Sequence, residues 1–432
     1  MIDIPLLIFI MIIFALVIIS YTLEEADFLS ISIILSFLAA TITGIALNLN
    51  LEDFIGHINF EAILIILGIS VITKIAQDSN ILEYISVKLF RLAGGKRRRF
   101  FLLLCTLTTL LAAVITDVVV VIILGPVVIR LCRFLRIQAG TYLIGMGICV
   151  NIGSTLTPFS TGKNIIISTA FNLDTVYFIQ FYWVFAFILL AITIFLMDRM
   201  FLQKEPHIEK QTKKLYLDLI NDDVVIKNKK MFYFNSIAIV ITIVLFVIIP
   251  ELYLTAIFSA FILVIVNRRF TEKKAVQFFR EVEWEIIFFF ISLYLIIGCA
   301  LEAGFKDLFE LIPFGMLPPF LIPIIVLVFV SVISGFVANN PVAVILLPII
   351  EVLSKSAGST VPIYFAFIFG LSLGGNLIPQ ASSVNMMTLS IAKEAEVDNL
   401  NYNRSLKVGS TFTLVHVGVA LIYTIILTLI FG

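Results

Sequence analysis

The sequence predicts an all-α polytopic membrane protein with about ten transmembrane helices and two re-entrant helical hairpins. Of its 432 residues, 61% are hydrophobic and only 13% are charged, whereas about a quarter of the residues of a soluble domain are charged. Apolar runs long enough to cross a bilayer recur along the chain, and the two halves resemble each other. These observations exclude an ordinary soluble enzyme, a disordered chain and a nucleic-acid-binding protein.

Each apolar run predicts a helix, because backbone polar groups in lipid must be satisfied within their own segment. The alternating pattern of a membrane β-barrel is absent from the sequence. The runs cover residues 4–20, 28–47, 60–78, 100–115, 118–129, 141–170, 175–198, 231–249, 252–267, 284–301, 320–338, 341–353, 361–391 and 408–431.

Basic residues predict the orientation, since cytoplasmic loops are enriched in Lys and Arg. Five clusters hold 25 of the 29 Lys and Arg residues: 88–99, 130–136, 199–230, 268–280 and 393–407. All five are therefore expected on the cytoplasmic side of the cell membrane, and both termini outside. The N-terminal run has no basic flank or cleavage site and is expected to remain as the first span.

Residues 100–129 lie between two of these basic clusters, so they should begin and end in the cytoplasm. Two complete spans would need about 40 apolar residues, more than this segment contains. The sequence therefore predicts a re-entrant hairpin with its tip at Thr116 and Asp117. Residues 320–353 have the same pattern with few flanking charges, which predicts a second hairpin from the outside with its tip at Asn339-Asn340-Pro341.

Similar motifs recur in the two halves at a nearly constant offset. Leu124-Gly125-Pro126 corresponds to Leu346-Leu347-Pro348, and the tip Thr116-Asp117 corresponds to Asn339-Asn340. The copies enter the membrane from opposite sides, and inverted repeats with broken helices are typical of secondary transporters. The predicted divisions are a first repeat at 1–198, a cytoplasmic linker at 199–230 and a second repeat at 231–432, with broken helices at 141–170 and 361–391.

The middle of each broken helix is polar and rich in Gly and Pro, although it lies inside an apolar run. Such irregular backbone is tolerated at membrane depth only where it lines a cavity or a ligand. The alternative is a kinked helix whose Ser, Thr and Asn side chains hold neighbouring helices together. The binding residues predicted here are Asn151, Gly153, Ser154, Thr155, Thr161, Lys163 and Asn164 in the first repeat, and Gly374, Gly375, Asn376, Ser382, Ser383 and Asn385 in the second.

Two charged residues are predicted at membrane depth, where a charge is costly and marks an ion or proton pathway. Asp117 is a candidate coupling residue, with a sodium site near its carboxylate as one option. Lys163 could neutralise Asp117 or bind an anion; the alternative is a lysine that extends to the membrane surface. The hairpin tips add Thr116, Asn339 and Asn340 to the predicted site, or cap the hairpins.

Other polar residues are weaker candidates. Glu61 and Glu285 open matching spans, where a carboxylate also favours the helix N-terminus. His416 stands alone on an apolar run, which is typical of a buried structural histidine. The four cysteines form no metal-binding or disulfide pattern, and there is no nucleotide-binding motif, so no cofactor is expected.

The motifs resemble the arsenite-efflux permease group of the ion transporter superfamily, over about residues 25–430. The best matches are Asn151-Ile-Gly-Ser-Thr-Leu-Thr157, Asn339-Asn340-Pro341, Gly374-Gly375-Asn376 through Asn385, and Glu283-Trp284-Glu285. The superfamily also holds NhaD-type sodium/proton antiporters, the melanosomal P protein and, more distantly, dicarboxylate and citrate carriers. The resemblance implies an elevator-type carrier.

This chain departs from the family at the first site. Thr116-Asp117 stands where Asp-Asn is usual, and Ser160-Thr161-Gly162-Lys163-Asn164 stands where Gly-Asp-Pro-Pro-Asn is usual. The charge of the first site is thus altered.

The function predicted is secondary active transport of a small inorganic ion or oxyanion, as in arsenite and antimonite efflux, coupled to protons or sodium. Sodium/proton antiport and carriage of a dicarboxylate or citrate are the alternatives, and a membrane-embedded enzyme is a distant one. The expected partners are the lipid bilayer, the transported ion and its coupling ion, and no nucleic acid; the sequence leaves a homodimer open.

Overall fold

The computed structural model describes residues 2–22, 27–94, 96–204, 226–271, 273–311, 317–356 and 358–431. The helices of the first half are α1 Ile4–Thr22, α2 Phe28–Leu47, α3 Leu51–Gly56, α4 Phe60–Asp78, α5 Ile81–Ala93, α6 Arg97–Ala112, α7 Asp117–Phe134, α8 Ala139–Gly153, α9 Gly162–Phe171 and α10 Thr175–Met200. Those of the second half are α11 Lys229–Ile248, α12 Leu252–Thr271, α13 Ala275–Arg280, α14 Trp284–Glu302, α15 Phe305–Glu310, α16 Leu321–Phe336, α17 Asn339–Ser356, α18 Val361–Gly374, α19 Ser383–Glu394 and α20 Tyr402–Phe431. Two short 3₁₀ turns cover Leu202–Lys204 and Pro379–Ala381.

The fold class is confirmed: these ranges are helical and contain no strand. Eight of the helices in the described ranges are long and apolar enough to cross a membrane: α1, α2, α4, α10, α11, α12, α14 and α20. The broken pairs α8–α9 and α18–α19 bring the spans to about ten.

The long helices begin and end at residues that satisfy their free backbone groups. Asn59 accepts a hydrogen bond from the amide of Ala62 at the start of α4, and Asp174 accepts one from Tyr177 at the start of α10. Asn48 and Asn172 end α2 and α9 in the left-handed conformation, which asparagine tolerates well. The apolar runs therefore become helices with bounds close to those predicted.

The second half repeats the first helix by helix, each helix starting 221 to 227 residues after its counterpart. The packing is repeated as well: α6 lies on α8 as α16 lies on α18, and α7 lies on α19 as α17 lies on α9. The hydropathy pattern missed the short helices α3, α5, α13 and α15. They are too short or too polar to register as spans, and α5 carries Lys88 and Arg91 of the first basic cluster.

The helices form two bundles, each with its own hydrophobic core. The site bundle consists of α6–α10 and α16–α20, and its core holds residues such as Phe101, Tyr182 and Phe365. The flanking bundle consists of α1–α4 and α11–α15, with Phe246 and Phe290 in its core. This core also takes in Phe159, Ile165 and Ile166 from the first break and α9, and Val344 from α17, where the two bundles meet. Helix α5 packs against both arms of the first hairpin, α6 and α7, and also against α4.

The hairpin tips differ slightly from the sequence prediction. The first turn covers residues 113–116, so Asp117 already opens α7. The second covers residues 337–338, so Asn339, Asn340 and Pro341 lie in the first turn of α17. Most of the predicted linker, residues 205–225, lies outside the described residues.

Candidate functional site

A cavity of about 230 Å³ lies between the site bundle and the flanking bundle. The site bundle contributes both hairpin tips and both helix breaks. The flanking bundle contributes parts of α1, α2, α4 and α14. The predicted site residues that line the cavity are Thr116, Asp117, Thr161, Lys163, Asn339, Asn340, Ser382 and Ser383.

Four helix N-termini converge on this cavity, those of α7, α9, α17 and α19. Each helix leaves its first backbone N–H groups without helical partners and carries a partial positive charge at this end. Such ends bind anions. Their convergence explains why two hairpins and two broken helices are needed to build the site.

Lys163 is the most unusual side chain of the cavity. It lies in the first turn of α9 and is only 2% exposed. Within the described part of the chain its ammonium group has no hydrogen-bond partner and no carboxylate within 4.0 Å. A buried charge is costly unless it is paired. Lys163 is attracted by the Asp117 carboxylate of the same cavity, and its N–H groups are left to donate hydrogen bonds to a bound anion.

Asp117 also lines the cavity, at the start of α7, and its carboxylate interacts electrostatically with Lys163. One carboxylate oxygen accepts a hydrogen bond from the backbone amide of Val118 at 2.8 Å. Thr116, which precedes it, lies 3.3 Å from Thr73 of α4, hydroxyl to hydroxyl. The first hairpin tip therefore contacts the flanking bundle while its carboxylate faces the cavity.

The remaining predicted residues lie behind the cavity wall, where they hold the broken helices together. Asn164 donates to the carbonyls of Ser154 at 2.6 Å and Thr157 at 2.9 Å. Asn385 donates to the carbonyl of Gly375 at 3.1 Å, the equivalent position in the second repeat. These bonds satisfy carbonyls that the helix breaks leave without helical partners.

Two hydrogen bonds join the two breaks directly. Asn151 donates to Asn376 at 2.7 Å, side chain to side chain, and accepts a hydrogen bond from Ser382 at 3.3 Å. Thr155 bonds within its own break, to the carbonyl of Ile152. Three buried atoms of this region have no hydrogen-bond partner among the described residues: Thr161 Oγ1, Asn164 Oδ1 and Asn376 Nδ2.

Two glycines allow the broken helices to touch the hairpins. A Cβ atom added to Gly153 would lie 2.1 Å from the carbonyl oxygen of Thr109, and one added to Gly374 would lie 2.4 Å from that of Ser331. Both distances are far below van der Waals contact. Any side chain at either position would thus push α6 from α8, or α16 from α18.

The second hairpin tip carries amides where the first carries a carboxylate. Counted from the equivalent prolines Pro126 and Pro348, Asp117 corresponds to Asn339, which corrects the alignment with Asn340. The Asn339 side chain lies 2.6 Å from the hydroxyl of Ser334. With its nitrogen facing inward, it also reaches the carbonyls of Leu371 and Ala381 at 3.2 Å.

The flanking bundle supplies an aromatic wall and one carboxylate that the sequence prediction missed. Tyr21 stacks on Phe289 at 4.8 Å between ring centres and meets Phe28 edge-on at 5.2 Å. Glu283, the residue before α14, also lines the cavity. A comparison of the two repeats could have identified it, because Glu283 stands where the first repeat has Asn59 at the equivalent helix start.

The weaker candidates lie elsewhere. Glu61 lines a separate crevice with Asp174 and Glu251, and Glu285 is exposed. His416 is fully buried in α20, 3.0 Å from the hydroxyl of Thr193. The described residues hold no group of three or more His, Cys, Asp or Glu side chains that could bind a metal ion.

Comparisons with known proteins agree on transport. The sequence profile of the citrate transporter family, CitMHS, matches residues 15–370. An uncharacterized transporter of Mycobacterium tuberculosis is 22% identical over 416 residues, 94% of this chain and 95% of that protein. The human P protein is 25% identical over 118 residues, 27% of this chain and 14% of that protein.

A solved structure has the same fold. The YdaH transporter of Alcanivorax borkumensis superposes with a TM-score of 0.58 at 11% identity, over 87% of this chain and 86% of that one. The family match, the similarity to the P protein and this shared fold together confirm the resemblance to the ion transporter superfamily that was inferred from the motifs.

Proposed function

Because the chain belongs to the CitMHS citrate transporter family, we propose that it is a secondary active transporter of a small anion, coupled to protons or sodium. The substrate is an inorganic oxyanion or a small carboxylate. The observation that carries this proposal is Lys163, a buried cation beside four helix N-termini that has no hydrogen-bond or ion-pair partner among the described residues. An anion bound there gains charge-assisted hydrogen bonds in a medium of low dielectric constant.

The charge of the cavity ranks the candidate substrates. Citrate and other small carboxylates fit the Lys163 ammonium group and are supported by the family. Arsenite and antimonite, which the motifs alone favour, are mostly uncharged acids at neutral pH and gain least from it. The proposal includes no enzymatic step.

Asp117 supplies the coupling in this proposal. A carboxylate next to a bound anion repels it, so the anion binds best when Asp117 is protonated or paired with sodium. Binding of the anion and of the coupling ion then favour each other. A sodium site at Asp117, together with the hydroxyl of Thr116, is one form of this coupling.

The two bundles support alternating access of the elevator type. The site bundle holds both tips and both breaks and has its own core, while the cavity opens between it and the flanking bundle. In the proposed cycle the site bundle slides as one body. In this proposal the linker lies in the cytoplasm and the termini lie outside the cell membrane, an orientation that the positions of the basic clusters support.

Sodium/proton antiport is the second candidate, because Asp117 is a carboxylate in the cavity that a proton or sodium can occupy. The two functions differ in their need for Lys163. Anion transport requires its charge, whereas cation exchange is hindered by it.

The test is Lys163→Met in proteoliposomes, with citrate, succinate, phosphate and arsenite as substrates over a range of pH and sodium. Removing the buried charge should leave the protein folded, with an equal or higher Tm. We expect the KM of the transported anion to rise about tenfold to a hundredfold, since a bond to a charged group contributes about 1.5–3 kcal/mol. Lys74→Met is the matched control, because Lys74 is ion-paired with Glu281 at 3.4 Å.

Unchanged anion uptake by Lys163→Met would contradict the proposal. Wild-type protein that exchanges sodium for protons and moves none of the four anions would replace it with the second candidate.

A further inference from the structure

The cavity contains a second carboxylate, which belongs to the other bundle. Glu283 precedes α14 of the flanking bundle and lines the same cavity as Asp117 and Lys163 of the site bundle. Its backbone amide donates to the hydroxyl of Ser70 at 3.1 Å. Among the described residues, the Glu283 carboxylate itself has no hydrogen-bond partner and no cation within 4.0 Å.

The equivalent residue of the first repeat is different. Asn59 precedes α4 as Glu283 precedes α14, and it lines a crevice that also contains His57 and Lys306. Its amide group donates to Thr169 of the site bundle at 3.0 Å. At this pair of positions, one repeat thus has an unpaired carboxylate facing the site, and the other has a neutral amide that is already bonded.

Among the described residues, the charged side chains that line the cavity are Asp117, Glu283 and Lys163. They do not balance when all are ionised, since two carboxylates face one ammonium group. An anion entering this cavity meets a net negative charge unless a carboxylate is neutralised. Asp117 moves with the site bundle in the proposed cycle, and Glu283 does not. A fixed carboxylate can exchange protons with water and with the site in one position of the site bundle only.

We propose that Glu283 is the loading carboxylate that passes the coupling proton between the solvent and Asp117, on the face of the protein that carries the basic clusters. This role rests on the proposed proton-coupled anion transport. In the loading direction, the Glu283 carboxylic acid gives its proton to the Asp117 carboxylate, directly or through water, and becomes a carboxylate. It is then protonated again from the solvent. In the unloading direction the proton moves the opposite way.

The structure shows which charged and titratable groups lie around Glu283. Asp117 and Lys163 face it from α7 and α9, and the phenol of Tyr21 lines the same cavity from α1. A cluster of Lys74, Asp78, Lys273 and Glu281 lies on the neighbouring elements and is ion-paired within itself. Glu283 is therefore the carboxylate of the flanking bundle that is left to exchange a proton with the site.

The first experiment compares Glu283→Gln with Asp117→Asn in proteoliposomes, using the panel anion with the largest wild-type flux. A loading group affects rate and not stoichiometry. Glu283→Gln should therefore slow uptake at least about tenfold and flatten its dependence on the pH of the basic face. It should still reach the wild-type accumulation ratio, about tenfold per pH unit and coupled proton. Asp117→Asn should lose accumulation.

Glu285→Gln is the matched control, since Glu285 is exposed and lies two residues further along the chain, in the first turn of α14. It should behave as wild type. An unchanged pH profile in Glu283→Gln would overturn the loading role. Loss of accumulation in Glu283→Gln would also overturn it, because Glu283 would then carry the ion.

A second experiment measures tryptophan fluorescence and does not require a transport assay. Trp284 adjoins Glu283, and Trp183 is the only other tryptophan in the sequence. In a Trp183→Phe background, Trp284 fluorescence should show a pH transition that Glu283→Gln removes and Glu285→Gln keeps. Adding the anion should move its midpoint to higher pH, because the anion and the proton favour each other.

The two failures are distinguishable. If no anion is transported but the transition depends on Glu283, the proposed function fails while the protonation of Glu283 stands. If anions are transported and no such transition exists, the loading role alone fails.

Discussion

The two halves of the candidate site share a backbone frame but differ in charge. In each half an asparagine of the second helix segment bonds a carbonyl of the break, Asn164 to Ser154 and Asn385 to Gly375. In each half a glycine of the broken helix lies against a backbone carbonyl of the hairpin, Gly153 against Thr109 and Gly374 against Ser331. Yet the first half presents Asp117 and Lys163 where the second presents Asn339 and Val384. The repeat therefore preserves the geometry of the site and leaves its chemistry to a few side chains.

The largest effect should come from breaking the shared frame. We expect Gly153→Ala and Gly374→Ala to destabilise the protein to a similar degree, by about 2–3 kcal/mol or more, because each Cβ would meet backbone that cannot move aside. The melting temperature of the purified protein checks this. Gly418→Ala is the control, since a Cβ there has nothing within 4 Å. Wild-type stability of either variant would show that the frame is not as tight as described.

Moving the charge between halves tests whether the difference in chemistry matters. Asp117→Asn makes the tips alike and should abolish accumulation driven by a proton or sodium gradient, with at least about a hundredfold loss of coupled uptake. The double variant Asp117→Asn with Asn339→Asp returns a carboxylate to the cavity from the other hairpin. It should regain part of the pH dependence. An Asp117→Asn variant with unchanged ion dependence would exclude this residue from coupling.

A smaller effect is expected from removing the asparagine hydrogen bonds that hold each helix break. Asn164 bonds two carbonyls at 2.6 and 2.9 Å, whereas Asn385 bonds one at 3.1 Å. Asn164→Ala should therefore cost about 2 kcal/mol of stability and Asn385→Ala about 1 kcal/mol, as expected for lost buried hydrogen bonds. Thermal unfolding of both variants gives the order, and the reverse order would contradict it.

Much of the fold followed from the sequence, because hydropathy and charge act over whole segments. The apolar runs and the five basic clusters predicted the helices and both hairpins without side-chain detail. Helix α5 was missed since its 13 residues mix apolar and charged side chains, as suits a surface helix. A search for long apolar runs does not detect a helix of this kind.

The site was harder to predict at the level of single residues. Polar residues inside apolar runs pointed to the tips and breaks, and Thr161, Lys163, Ser382 and Ser383 do line the cavity. Asn151, Asn164 and Asn385 lie behind it, because an asparagine suits both a ligand and a broken backbone. Glu283 was named only as part of a family motif and not as a site residue, since it looks like an ordinary helix-start carboxylate. The packing of α14 beside the hairpin tip brings it to the cavity.

The separate cores of the two bundles have a thermodynamic consequence. Unfolding has a large heat-capacity change because it exposes buried apolar surface to water. A sliding site bundle keeps its own core closed, with Phe101, Tyr182 and Phe365 packed throughout. The equilibrium between the two positions of the site bundle should therefore have a heat-capacity change far below that of unfolding. The free energy of this equilibrium should vary nearly linearly with temperature, whereas the free energy of unfolding varies along a strongly curved line.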